Sequence, residues 1–404
     1  VYDYPSEGND SDFIEDEIIL LSKIFKEVNI IPLKKSNLKS DYIDYENINY
    51  DFSLNEEIFN FYNILKKLKN ILLSQIFWKE IFSVKKSIIK KIYMIIKERY
   101  LAECIYIWVK KKIKNIDRDE LFYSYWANHT LLAFYLLKKQ EIIKNCFART
   151  LGSDLFGFIP NDKFVPFKSY KFQQLDFLLI LNDGQKKLLL QEKLMTSDRI
   201  IKAYQGMNLQ NFCTLNNSEK EIHIVSCGAL IHVKNTIKIL EFIYWLKKIL
   251  PDYDVSYTSI GDGYNFNEIK TYVKNNLDSV NVNLIRNIPN FFEYLKSNKV
   301  DYFINLSHSE GMSFAIMEAL SCSIPVICSN IPGNIEVINN RNGHIIHSID
   351  IGNYKKVIKK IEIEKKTNLI LQKKIESRKL ILEKLERKKA LDNLKTIITK
   401  FYNF

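Results

Sequence analysis

The chain reads as short buried runs alternating with helix-spaced apolar faces. Residues 302–306 are an apolar run suited to a buried strand, and His308, Ser309, Glu310 and Gly311 follow as a polar turn. Phe314, Ala315, Met317, Ala319 and Leu320 then supply one helix face, and residues 325–328 predict a strand buried on both sides. Residues 221–226, 255–260 and 282–285 predict further strands, with a helix over 236–250. Earlier, Phe13, Ile14, Glu17, Ile18, Leu21 and Ile24 recur at helical spacing before a strand over 28–32. Strands are also predicted over 121–125, 145–150, 175–181 and 200–204, and residues 1–5 read as the end of a first strand whose start lies upstream. Residues 33–56 are polar and show no clear period.

Two long stretches are helical. In residues 58–114, Ile88, Ile89, Ile92, Ile95 and Ile96 form a stripe expected to pack, with Lys85, Lys86, Lys90, Lys91, Lys97 and Arg99 mostly away from it. That basic face has two readings, a solvated surface or one that meets anionic lipid headgroups. After residue 353 the chain is helical and charged, and Leu391, Leu394, Ile397, Ile398 and Phe401 predict a last helix that docks.

Repeated strand–helix alternation predicts α/β domains with parallel, doubly wound sheets. At 404 residues the chain exceeds the about 250–300 at which single cores divide. The expected organisation is a first domain over 1–207, a polar linker over 208–220, a second domain over 221–387, and residues 388–404 returning to the first.

Composition narrows the partners. A hydrophobic content of 47% marks a globular protein, and a net charge of +12 suits an anionic partner. No zinc-finger or aromatic RNA-reading motif appears, so nucleic acid is not expected. Six cysteines without a C-x-x-C pair read as buried residues of a reducing cytoplasm. No stretch approaches the roughly 20 apolar residues of a membrane span.

The candidate chemistry lies in the stretch first described. Glu310 and Glu318 stand on either side of residues 311–314, whose backbone N–H groups at a helix start attract phosphate. Carboxylates flanking an anion site can grip sugar and ribose hydroxyls; the plain alternative is an α/β turn with solvated glutamates. Asp10-Ser11-Asp12 has the D-x-D form of a metal motif, but it caps a helix, and no metal is expected there.

Residues 301–346 resemble the E-x7-E signature of retaining glycosyltransferases of the GT-B fold, family four. The likeness includes residues 321–328, the Asn330-Ile331-Pro332-Gly333 turn, Glu336 and Asn342-Gly343. The opening, through Tyr4, Pro5, Gly8, Phe13, Ile14, Glu15 and Glu17, resembles the acceptor loop of a surface-polysaccharide subgroup. The resemblance implies two Rossmann-like domains across a cleft and a hexosyl or N-acetylhexosaminyl transfer without metal or other cofactor. The donor would be a nucleotide sugar, UDP favoured and GDP second. The acceptor would be a glycan or lipid-linked glycan at the cytoplasmic face of an anionic membrane.

By that resemblance Glu310 holds donor-sugar hydroxyls, Glu318 the ribose, and Lys234 with Gly311, Met312, Ser313 and Phe314 the diphosphate. Gly228, Gly261, Asp262 and Asn287 would line the nucleotide, and Gly8, Trp126, His129, Arg149 and Asp154 the acceptor. The pattern is broken where Leu151 replaces a histidine, Ala229 an arginine and Arg286 a glycine, and where Asn235 follows the lysine. These departures keep a second expectation open, a catalytically weak or silent partner subunit that binds nucleotide sugar or glycolipid.

Overall fold

The computed structural model describes residues 10–33, 43, 45–60, 64–85, 87–112, 120–157, 164–210 and 220–402. Tyr4, Pro5, Gly8 and the strand expected over 1–5 lie outside them, as does most of the expected linker. The chain forms two units, residues 1–203 with 391–404, and residues 204–390.

The first unit opens with α1 (Asp10–Ile24), then β1 (Val28–Ile30) and β2 (Ile48–Tyr50), which pair in parallel. The polar stretch over 33–56 had given no hint of β2. Four helices follow: α2 (Ser53–Phe59), α3 (Ile64–Leu72), α4 (Gln75–Ser83) and α5 (Ile88–Lys112). The next strands and helices alternate: β3 (Leu121–Ser124), α6 (His129–Lys139), β4 (Asn145–Arg149), α7 (Ser153–Phe156), α8 (Lys168–Lys171), β5 (Leu178–Ile180), α9 (Asp183–Gln191) and β6 (Ile200–Lys202). β3 to β6 form a parallel sheet in sequence order. An Asn182–Gln185 capping box starts α9 straight after the fully buried β5.

The expected stripe on α5 is corrected. Ile95 is buried, but Ile88, Ile89 and Ile96 are exposed, and the inward face instead carries Lys91, Ile95, Arg99 and Ala102. Arg99 can lie inside because Glu103, one turn on, accepts from it at 2.7 Å. The i, i+4 spacing offers that pair, but local periodicity does not decide which face turns inward.

The second unit contains β7 (Glu221–Cys227), α10 (Thr236–Ile249), β8 (Asp254–Ile260), α11 (Phe266–Asn276), β9 (Asn281–Ile285), α12 (Phe291–Ser297) and β10 (Tyr302–Asn305). It continues through α13 (Phe314–Ser321), β11 (Val326–Ser329), α14 (Pro332–Ile335), β12 (Gly343–Ile346), α15 (Ile351–Lys366) and α16 (Leu369–Leu380). All six strands are parallel, in the order β12-β11-β10-β7-β8-β9. The connections run outward from β7 in one direction and from β10 in the other. The crevice at the carboxyl ends of β7 and β10 is therefore the topological switch point, where sheets of this kind bind ligands.

Helix α17 (Arg387–Tyr402) begins in the second unit and ends in the first. Its buried Leu394, Ile397 and Ile398 pack with Phe147, Phe177 and Leu179, and Phe401 meets Phe177 with ring centroids 4.4 Å apart.

Candidate functional site

The loops at the carboxyl ends of the second sheet are tied together by backbone. Gly228, directly after β7, donates to Ile260 at 2.9 Å, and Leu230 donates to Asp262 at 2.8 Å. This lacing needs bare backbone: Gly261 has φ +150°, and a side-chain carbon there would stand 1.9 Å from the Gly228 oxygen. On the other side, His308 N–H donates to Val233 at 2.9 Å, and the Asn235 amide donates to the Leu306 carbonyl at 3.1 Å. Asn235 itself takes a left-handed backbone, φ 57°, which an asparagine tolerates better than most residues.

This stitching brings Lys234 to Glu310. The ammonium donates to Glu310 Oε1 at 2.6 Å, and the same oxygen accepts from Ser307 Oγ at 2.8 Å and the Asn305 amide at 3.5 Å. The three donors all converge on Oε1, so Oε2 is the other face of the carboxylate. Beneath the loop sits Gly333, where a side-chain carbon would be 2.5 Å from the carbonyl oxygens of both Glu310 and Gly311. Gly311, Met312 and Ser313 are buried just before α13, with Ser313 Oγ 3.3 Å from the Asn305 amide. Glu318, on the second turn of α13, is buried near Cys227 at the end of β7. Burial pushes the Cys227 thiol up to about 12, and the Glu318 charge adds to it.

The structure thus gathers Gly228, Lys234, Glu310 and Glu318 at one switch point. Asp262 and Asn287 lie on neighbouring loops, and Asp262 is already engaged. Its carboxylate accepts from Arg286 at 3.0 and 2.9 Å, while the Arg286 guanidinium lies 4.0 Å over the Phe266 ring. The Gly263 N–H, then Arg286, hold the Asp262 carboxyl below its ordinary range. Arg286, which stands where the family pattern has a glycine, clamps the loops after β8 and β9 together.

Sequence reading missed a histidine pair. His232 and His308 stand two residues before Lys234 and Glu310, and their rings lie 5.8 Å apart. Burial and then His232 hold His308 below the usual histidine pKa. That shared offset from two named residues was the available signal.

Three of the expected acceptor residues, Arg149, Asp154 and His129, are buried within the first unit. Arg149 is fully buried, donating to Glu17 at 2.6 Å and to the Ala203 carbonyl at 2.7 Å. Asp154 is buried and accepts from Thr150 Oγ1 at 2.7 Å and from the N–H groups of Leu151, Gly152 and Ala127. His129, also buried, lies 3.8 Å from Glu98. Asp154 braces the loops after β3 and β4, Arg149 ties the end of β4 to α1 and to residue 203, and His129 faces α5; Trp126 is half-buried. Leu151, in the place expected of a histidine, packs with the cluster of Ile14, Ile18 and Tyr125. Among the described residues no group of three or more His, Cys, Asp or Glu side chains could hold a metal, and no helix is long and apolar enough to cross a membrane.

Comparison with known proteins adds to this geometry. Residues 210–378 match the family described as glycosyl transferases group 1. The chain is 29% identical over 147 residues to a capsular polysaccharide biosynthesis glycosyltransferase, CapH, of Staphylococcus aureus, covering 33% of this chain and 37% of the relative. It is 25% identical over 211 residues to the UDP-Gal:alpha-D-GlcNAc-diphosphoundecaprenol alpha-1,3-galactosyltransferase of Escherichia coli, covering 48% of this chain and 53% of that one. The chain therefore spans about a third to a half of those relatives. In fold it is similar to a sucrose-phosphate synthase from Thermosynechococcus elongatus, with a TM-score of 0.66 at 13% identity over 98% of this chain and 94% of that one. It is also similar to the pneumococcal O-GlcNAc transferase GtfA solved with UDP and GlcNAc, with a TM-score of 0.59 at 16% identity over 74% of this chain and 60% of that one.

Proposed function

We propose, taking the match of residues 210–378 to glycosyl transferases group 1 as premise, that this chain moves a sugar from a nucleotide sugar to a glycan or lipid-linked acceptor in surface polysaccharide synthesis. The observation that carries the reading is the Lys234–Glu310 pair, closed at 2.6 Å at the switch point of the matched unit. Lys234 meets the donor diphosphate, Glu310 turns Oε2 to donor-sugar hydroxyls, and Glu318 takes the ribose. UDP is the favoured nucleotide, in keeping with the UDP named for the Escherichia coli relative and for GtfA.

The reaction is retaining and needs no metal. As the anomeric bond breaks, negative charge gathers on the leaving diphosphate, and a preplaced ammonium stabilises it without reorganisation. The Lys234 ammonium meets that charge from its place beside Glu310. The departing phosphate takes the acceptor proton on the same face of the sugar, so the configuration is kept.

Turnover of a panel of UDP- and GDP-sugars tests this. Lys234→Ala lowers kcat by roughly 10²–10³, the usual cost of one transition-state donor. Glu310→Gln and Glu318→Ala lose transfer while the fold persists. Near-normal transfer by both glutamate variants rejects the assignment, and an absolute metal requirement at saturating donor rejects the metal-free route. Donor binding without hydrolysis or transfer by the unaltered chain supports a silent subunit, the reading that Ala229 and Leu151 favour.

A further inference from the structure

Helix α3 buries Ile71 on one face and leaves a row of leucines on the other. Leu65, Leu68 and Leu72 share one face by their spacing, and all three are exposed, Leu65 by 80%. Lys67 on the opposite face is buried, paired with the Glu57 carboxylate at 3.0 Å and donating to the Glu57 carbonyl. The inward face thus holds Ile71 and the paired lysine, while three leucines stay outside. The Ile71 packing and the Lys67–Glu57 pair together fix that face inward and leave the leucine face outward.

The outward apolar side chains continue along the chain. Trp78 on α4 donates its indole N–H to the Leu72 carbonyl at 2.7 Å and stacks on Phe82, with ring centroids 5.9 Å apart. Phe82 is 78% exposed. At the start of α5, Ile89, Tyr93 and Ile96 form another exposed face by their spacing, Ile89 by 87%. Three consecutive helices thus offer apolar and aromatic side chains to the outside, more than the scattered exposed residues of an ordinary surface.

The charges around these residues have one sign. Among the described residues of 64–97, the exposed charged side chains are Lys66, Lys69, Lys79, Lys85, Lys90 and Lys97. Glu80, the acidic residue of that stretch, is half-buried and accepts from Phe167 N–H at 2.8 Å. Apolar side chains with an aromatic belt and lysines among them match the boundary between acyl chains and anionic headgroups.

We infer that α3, α4 and the first turns of α5 form a surface that docks on an anionic lipid bilayer. The aromatic and aliphatic side chains enter the headgroup boundary, and the lysines pair with lipid phosphates. This deepens the lipid-linked-acceptor part of the proposed function. Vesicle binding needs no donor, so its failure leaves the transferase reading standing.

The test is flotation of the full chain with phosphatidylcholine vesicles, with and without phosphatidylglycerol. The unaltered chain and Glu310→Gln float with the anionic vesicles and not with phosphatidylcholine alone. Phe82→Glu combined with Ile89→Glu lowers partitioning by roughly tenfold or more. Lys66→Gln combined with Lys79→Gln lowers it by roughly fivefold for each lysine removed. Both double variants keep the thermal unfolding of the unaltered chain, since all four side chains are exposed. Absence of flotation overturns the inference, as does equal flotation by the apolar double variant. Self-association by light scattering that the apolar double variant breaks, without vesicle binding, also overturns it and assigns the face to a second copy.

Discussion

At the residue scale, charge inside the first unit serves structure. Arg149 and Asp154 are among the residues that family likeness marks for an acceptor, and both are buried, Arg149 bonded to Glu17 and the Ala203 carbonyl and Asp154 to Thr150 Oγ1 and nearby N–H groups. A buried charge is tolerated only when paired and hydrogen-bonded, and Glu17, the Ala203 carbonyl, Thr150 Oγ1 and the 151–152 N–H groups supply the partners. Glu98 shows how such pairing couples to pH. Burial alone would raise its pKa, but the Lys171 ammonium and His129 outweigh burial and bring it from 4.5 to about 2. A carboxylate whose folded pKa is depressed contributes stability above its unfolded value and loses it as pH falls through the folded one. The chain is therefore expected to lose stability between pH 4.5 and 2, with Glu98→Gln losing less over that window. Urea midpoints followed across the same range check this; parallel curves for the two proteins would show that Glu98 does not titrate as described.

At the element scale, the site depends on how closely strand ends approach. The parallel strands β7 and β10 put Lys234 and Glu310 side by side although 76 residues separate them. Gly333, at the start of α14, supports the Glu310 carbonyl from below with no room for a side chain. Gly333→Ala must push that loop by several tenths of an ångström or more. Misplacement on this scale damages a preorganised site far more than it damages a fold. The expected outcome is a fall in kcat/KM for the nucleotide sugar of roughly tenfold or more, with a thermal midpoint only slightly lowered. Steady-state kinetics beside a melting curve read both; a large drop in midpoint with unaltered kinetics would place Gly333 in stability alone. Helix α5 shows the converse case, where Ile88, Ile89 and Ile96 of a stripe with sound helical spacing lie outward while Lys91 and the Arg99–Glu103 pair lie inward with Ile95.

At the scale of the whole molecule, each unit has its own hydrophobic core, with α17 beginning in one unit and ending in the other. Ligand binding to one unit should then be visible there first. UDP at a hundredfold excess over Kd stabilises the state it binds by about 2.7 kcal/mol. Slower amide exchange is expected in the loops around residues 228–235, 261–263 and 307–318, and not in β3 to β6. Hydrogen exchange with and without UDP measures it, and protection confined to the first unit would displace the donor site. Much of this second unit was legible in the chain itself. Strand and helix alternate with little ambiguity over 221–346, so apolar periodicity alone predicts a parallel sheet, and Glu310, Glu318 and Lys234 stand out by spacing and resemblance. Those are local properties, written in consecutive residues. Strand order, the closure of Lys234 on Glu310, the Asp262–Arg286 clamp, the His232–His308 pair and the outward apolar face of α3 were decided only in three dimensions. Each depends on which distant residue supplies a partner, a choice set by packing and charge pairing across the fold rather than by any repeat along the chain.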